Sequence, residues 1–376
     1  MSVLFPLHDP VGPDGDEQPD VAAIAHLLVP MAADADRRGV QRETIDRLAA
    51  AGLLGSPLTP PARQRELAEL ISGCDATTWF CWVQHLSPLR ALSQAVRTLD
   101  TPSVEALRED FLPGLSSGTL LGAVAFAHVR RPGPPNPVAT RVEGGWLLEG
   151  TLDWVTSWDI ADVVMVIAQG SGEDADSLIS VFLPAGRSPA SLPGLTMELP
   201  LALLAMSGTH TRPIRLSSVF VPADRVVAVT DRAEWLAQDA VTSANANPSA
   251  FGVARGAIAE LDMLAEKRSD ARMRALADGL IEECRLVRRA AYACADDPEA
   301  SIDRRVVLRA RSLDLVVRAA TGVVVARAGA AMLAGQDAER RVREAMFLQV
   351  QAQTAPTRNA ALDLMIEASR RAIARD

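Results

Sequence analysis

GGWLLEGTLDWVTSW, residues 144–158, is the stretch on which the fold turns. Gly144 and Gly145 make a turn, and 146–149 reads as a short strand. Gly150 breaks the run, and alternation of apolar and polar positions resumes over 152–156. That second strand ends on Trp154, Thr156 and Ser157. A large aromatic beside two hydroxyls suits the grip of a flat ring with polar edges. It is equally sound as a hairpin end with no ligand. The flanking sequence decides between the two.

Working outward, the runs GTLLGAVAFAHV (118–129), PVATRVE (137–143), ADVVMVIAQG (161–170), SLISVFLPAG (177–186), GLTMELP (194–200) and RPIRLSSVFVPADRVV (212–227) are short and separated by turn signals. Their spacing predicts about six strands in a compact β domain over 118–227. Pro132, Pro134, Pro135 and Pro137 mark one long loop, and Pro222 closes the last strand.

On either side the period is helical. Upstream, DVAAIAHLLVPMAADADRRG (20–39) reads as one helix and RETIDRLAAAGLLG (42–55) as a second that stops on Gly55. The stretch 61–96 holds two more, parted near Gly73 and Cys74, with Asp75 as N-cap of the later one. From about 230, four amphipathic stretches (246–268, 272–295, 303–333 and 339–374) predict an antiparallel bundle of helices of about 25–30 residues. The organisation expected is a disordered tail over 1–19, an N-terminal helical domain over 20–117, the β domain, and a C-terminal helical bundle over 228–376. The fold class is α+β.

The 376 residues carry a net charge of −9 with 48% hydrophobic residues, so no basic surface for nucleic acid or an anionic membrane is expected. Cys74, Cys81, Cys284 and Cys294 show no close metal spacing and read as buried thiols. The N-terminus lacks a basic start followed by an apolar run, and no apolar stretch of eighteen residues stands out. A cytoplasmic location is expected. The segment DLVVRAATGVVVARAGAAML (314–333) is apolar over more than one face, which demands burial on both sides.

Four segments in order resemble motifs of the acyl-CoA dehydrogenase superfamily: GGWLLEGTLDWVTSWDIADVVMVIA (144–168), MSGTHTRPIRLSSVFVPADRVV (206–227), FGVARGAIAELDMLAEKR (251–268), and AGAAML with ERRVREAMF (328–333 and 339–347). The resemblance spans about 20–370. It implies a flavin, FAD, with Trp154, Thr156 and Ser157 against the ring. Ala127, His128 and Val129 stand where the family's Thr-Glu-Pro stretch lines the flavin. Arg268 matches the arginine that begins the pyrophosphate grip in a neighbouring subunit. Gly329 is what remains of a paired glycine, with Ala328 before it, and Thr354 keeps the family's threonine. The resemblance further implies a homodimer or homotetramer.

Departures from the pattern bear on function. Counting from Arg343, Ala352 occupies the family's catalytic Glu position. Near the alternative position, upstream of Gly252, the only acid is Asp239, slightly too early. The pyrophosphate grip after Arg268 is shortened. These losses suit the superfamily's two-component monooxygenases, which take reduced flavin from a separate reductase. Their characteristic His is also absent, because Gln349, Val350 and Gln351 stand in its place. The function expected is a flavin-dependent oxidoreductase of monooxygenase or oxidase type acting on a small molecule. The alternatives are an acyl-thioester dehydrogenase with its base at an unexpected position and an electron-transfer partner, or a flavin-free binding or scaffolding protein on the same fold.

His128 is the candidate for proton transfer beside the flavin. His85 is either a core residue or a substrate contact. His210 reads as a turn residue and His26 as packed on its helix. Arg340, Arg341 and Arg343 read as a charged helix face, solvated and paired with Glu339 and Glu344, and the resemblance implies a structural ion pair for Arg343. Trp79 and Trp82 read as core.

Overall fold

Apolar residues at helical spacing organise the first part of the chain into α1 (Val21–Leu28), α2 (Ala32–Arg38), α3 (Arg42–Ala50), α4 (Pro61–Cys74), α5 (Ala76–Gln94) and α6 (Pro102–Ser117). The structure is a computed structural model and describes residues 21–54, 59–94 and 102–373. The expected tail and the stop at Gly55 lie outside the described residues. The single helix read over 20–39 is two helices, parted by a tight turn at Val29–Met31, where Pro30 contributes no N–H. Asp75 parts α4 from α5 as expected, accepting from the N–H groups of Thr77 (3.0 Å) and Thr78 (3.1 Å).

The middle of the chain forms one eight-stranded sheet in the order β6-β7-β3-β2-β4-β5-β8, with β1 parallel to β4. The strands are β1 (Gly122–Ala125), β2 (Val138–Val142), β3 (Gly145–Val155), β4 (Val163–Gly170), β5 (Ser177–Pro184), β6 (Leu195–Met197), β7 (Arg212–Pro222) and β8 (Val226–Asp231). Gly150 bends β3 without ending it. Its φ of +132° and the close approach of Asn136 leave no room for a side chain. The run 118–129 gives only four strand residues before a tight turn at Ala127–Arg130. Pro222 does not close the last strand, because a short turn leads on into β8.

The C-terminal part holds α7 (Arg232–Ala244), α8 (Pro248–Arg268), α9 (Ala271–Asp296), α10 (Ile302–Arg327), α11 (Asp337–Val350) and α12 (Ala355–Ile373). Helices α8, α9, α10 and α11 pack on one another as the bundle. The helix read over 339–374 is interrupted at 351–354, where Ala352 has φ +50° and Pro356 opens the next helix. Gly252 lets α8 rest directly on α4; a Cβ there would lie 2.3 Å from the carbonyl oxygen of Glu69.

By length and composition, Ile302–Met332 passes for a membrane-crossing helix, contrary to the sequence reading. It lies instead against α8, α9 and α11, with Arg305 and Arg309 buried along it. One core joins Trp79 and Trp82 of α5 to Phe251 of α8 and the bundle, and a second fills the sheet around Trp146, Leu152 and Val164. The four cysteines are free and buried. Arg340 and Arg341 are buried, not solvated: Arg340 pairs with Glu344 at 2.5 Å, and Arg341 donates to the carbonyl of Gly73. Arg343 grips Asp36 of α2 at 2.6 Å, fastening the bundle to the N-terminal helices.

Candidate functional site

The end of β3 puts Trp154 at the surface, 48% exposed, while Thr156 and Ser157 lie just beneath. The chain reverses at Ser157, whose φ is +66° and whose N–H donates to the carbonyl of Thr209 (2.9 Å). Thr156, Thr211 and Thr209 form a line of hydroxyls at 3.1 and 2.8 Å. The hydroxyl of Ser157 is buried beside the Cys81 thiol and makes no stronger hydrogen bond among the described residues. A buried hydroxyl left without a good partner costs about 1–3 kcal/mol, so it remains able to donate to a ligand. An apolar face at Trp154 and this weakly held donor fit a flat ring with polar edges.

The turn Ala127–Arg130 is fastened beside this strand end. Arg131 is ion-paired with Asp153, the neighbour of Trp154. His128 donates from Nε2 to the carbonyl of Ile167 at 2.6 Å, which leaves Nδ1 as the acceptor of a neutral ring. Burial pulls the His128 pKa below its ordinary value, against the upward pull of that bond. Ala127 is exposed, and Val129 is half-buried. Arg130 forks onto Asp239 of α7 at 2.6 and 2.7 Å. The one acid near the family's alternative base position is therefore committed to an arginine.

Behind α7 lies the 351–354 loop. Arg309 of α10 donates to the carbonyls of Ser243 (2.7 Å), Asn245 (3.4 Å) and Gln351 (2.5 Å). Asn247, the N-cap of α8, donates to the Gln351 side chain at 2.8 Å. Ala352 follows directly, partly buried, and the Thr354 N–H donates to the Thr357 hydroxyl in the first turn of α12. Arg309 is buried, and burial first, then the charge of Arg130, brings its pKa down to about 10. A continuous series of contacts thus runs from Asp153 beside Trp154, through Arg131, Arg130 and Asp239, to the α7–α8 junction, Arg309 and Ala352.

Arg268 and Gly329 sit elsewhere. Arg268 donates to the carbonyl of Ala326 at the end of α10, close to the turn that carries Gly329. It closes α8, whose 21 residues span about 31 Å from the Asn247 end. Within one chain these two residues are not brought to Trp154.

His85 is not a substrate contact. It is 0% exposed, its Nε2 donates to the carbonyl of Leu115 and its Nδ1 accepts from the N–H of Gly122, both at 3.0 Å. Both nitrogens serve the seam between α5 and β1. His210 is the turn residue expected, with φ +53° and Nε2 on the carbonyl of Val40. His26 is exposed on α1 instead of packed. Sequence reasoning missed Arg305 and Arg309. Their signal was slight: two arginines four apart, with Ser312 next on the same face, in a helix that also carries Arg304, Arg311, Asp314 and Arg318.

No family model matches the chain. Among curated proteins it is 26% identical over 204 residues to a probable acyl-CoA dehydrogenase of Bacillus subtilis (strain 168), a match that spans 52% of each chain. Among solved structures it superposes on a nitrososynthase of Micromonospora carbonacea var. africana with a TM-score of 0.75 at 21% identity, covering 96% of this chain and 98% of that one. A glutaryl-CoA dehydrogenase of Mycobacterium smegmatis, solved with FADH2, gives 0.71 at 15% identity over 94% and 96%. The chain therefore carries the fold of these proteins, and over about half its length its sequence is similar to that of an acyl-CoA dehydrogenase.

Proposed function

We propose that the protein is a flavin-dependent oxidoreductase of the oxygen-using kind, acting on a small molecule, and not a dehydrogenase of fatty-acyl thioesters. What supports this is the motif count from Arg343, which sets Ala352, in the loop at 351–354, at the family's carboxylate position, together with the Arg130 pairing that holds Asp239. A bound flavin supplies the exchange of electrons with substrate and oxygen. Trp154 would cover one ring face, Ser157 and Thr156 would serve its polar edge, and His128 would hold a proton acceptor, Nδ1, beside it. The fold neighbour solved with FADH2 supports flavin over a flavin-free scaffold.

Arg268 and Gly329, at the far end of α8, hold the outer part of the cofactor of a second copy. The protein accordingly works as a homodimer or homotetramer and takes reduced flavin from a separate reductase. The rival reading, an acyl-thioester dehydrogenase with an unexpected base, draws support from the Bacillus relative's name.

Titration of the purified protein with oxidised and with reduced FAD tests the reading. Binding of reduced FAD at least as tight as oxidised FAD is expected. Failure to bind either form would leave the scaffold alternative standing and sink this one.

A further inference from the structure

Arg309 is 4% exposed and has no carboxylate partner among the described residues. Leaving a buried charge unpaired costs several kcal/mol, so the structure must answer it in another way. Two helix ends do so in part. Helix α7 ends at Ala244 and α11 at Val350, and the carbonyls that Arg309 binds belong to these C-termini, each worth about half a negative charge.

Neither helix end is a formal counter-ion. Arg305, one turn earlier on α10 and also buried, binds only the carbonyls of Ala295, Asp297 and Ala300 and the side-chain oxygen of Asn245. Asp239 on α7 is neutralised by Arg130. Among the described residues, neither Arg305 nor Arg309 meets a carboxylate. The Nε of Arg309 is itself buried without a partner.

We propose that Arg309 makes position 352 a place that favours a negative charge, so that the substrate presents an anionic group, a carboxylate or an oxyanion, to the 351–354 loop. This rests on the function proposed above, with the 351–354 loop at the reaction site. Arg309 acts here as a positioning residue: it fixes the loop through the Gln351 carbonyl and sets the local potential. Where the family pattern places a fixed carboxylate, this chain places a buried guanidinium with no carboxylate partner behind the loop, and the negative charge comes from the ligand.

The thiol of an Ala352→Cys protein is the direct probe, because its thiolate is an anion at the position in question. Its rate of alkylation by iodoacetamide is followed against pH, without added flavin. The native cysteines are silent background, since all four are buried and burial pushes Cys74, Cys81 and Cys284 up to about 12. The expected midpoint is about one unit or more below the ordinary thiol value of about 8.5. Adding Arg309→Met should raise it again and slow alkylation at pH 7 about tenfold, whereas Arg309→Lys should keep most of the shift.

A midpoint at or above the ordinary value in the Ala352→Cys protein overturns the proposal without any second substitution having to fold. A folded Arg309→Met variant that keeps the low midpoint overturns it too. Flavin titration is a separate measurement, so failure of the flavin reading and failure of this proposal are told apart.

Discussion

The guanidinium of Arg255, on α8, and the carboxylate of Glu69, on α4, lie 2.9 Å apart with neither reaching solvent. Glu66 and Arg288 complete the cluster at 2.7–3.0 Å, and the Tyr292 hydroxyl donates to Glu69. This network seals α4 against α8 and α9. Removing one member leaves a buried charge exposed to its own desolvation cost. Glu69→Ala should lower stability by about 3–5 kcal/mol in urea unfolding. A loss under about 1 kcal/mol would show that the cluster is not what joins the helices.

His85 should give the protein an acid limb. Burial pushes its pKa down to about 4, below the ordinary value near 6.5. The folded state therefore binds fewer protons than the unfolded one between these values, and stability falls as pH drops through that window. Asp75 works the other way: burial raises it to about 6, so its contribution falls as pH rises from about 4 to 6. Comparing His85→Gln with the parent isolates the histidine. The parent's stability difference between pH 7 and pH 5 should exceed the variant's by about 2 kcal/mol. Equal differences would remove His85 from the acid response.

Trp154→Ala combined with Thr156→Ala should weaken flavin binding by about 1–3 kcal/mol and leave the fold intact, because the indole is half exposed. Fluorescence titration of the folded variant checks this. Unchanged affinity would remove the β3 end from the cofactor site.

The outer face of the bundle exposes Leu362, Met365 and Ile366 on α12 and Val307 on α10. Exposed apolar residues three and four apart on α12 are where the assembly proposed above would form. Light scattering at micromolar concentration should give at least a dimer, and Met365→Asp with Ile366→Asp should shift the mass toward monomer. A monomeric parent would contradict the assembly proposed above.

Much of the fold was legible because it rests on period. The switch from helical spacing to alternation and back is local, and so is the Asp75 cap. The errors fall where one residue changes the geometry. Pro30 splits a helix, Gly150 bends a strand that continues, and the 351–354 turn divides what reads as one helix. The site was half legible. Trp154 and Ala352 stand out by residue type at a known place in a pattern. Arg309 does not, because its role comes from carbonyls at the ends of α7 and α11, which no side-chain pattern records. His85 reads as core or substrate contact, and only its partners, the backbone groups of Leu115 and Gly122, decide for the core.

The missing carboxylate is tested most directly by mixing the flavin-loaded protein with a short acyl-CoA under anaerobic conditions and watching the flavin absorbance. Loss of a positioned base removes a factor of about 100–10,000 from proton abstraction, even with thioester and flavin both bound. Negligible bleaching is expected from the parent. Ala352→Glu should restore little, because Arg309 would hold the new carboxylate ionised and weakly basic. Supply of a flavin reductase and O2 should instead give substrate-dependent oxygen consumption. Brisk anaerobic bleaching by the unmutated protein would show that another acid does the work and would contradict the oxygen-using assignment.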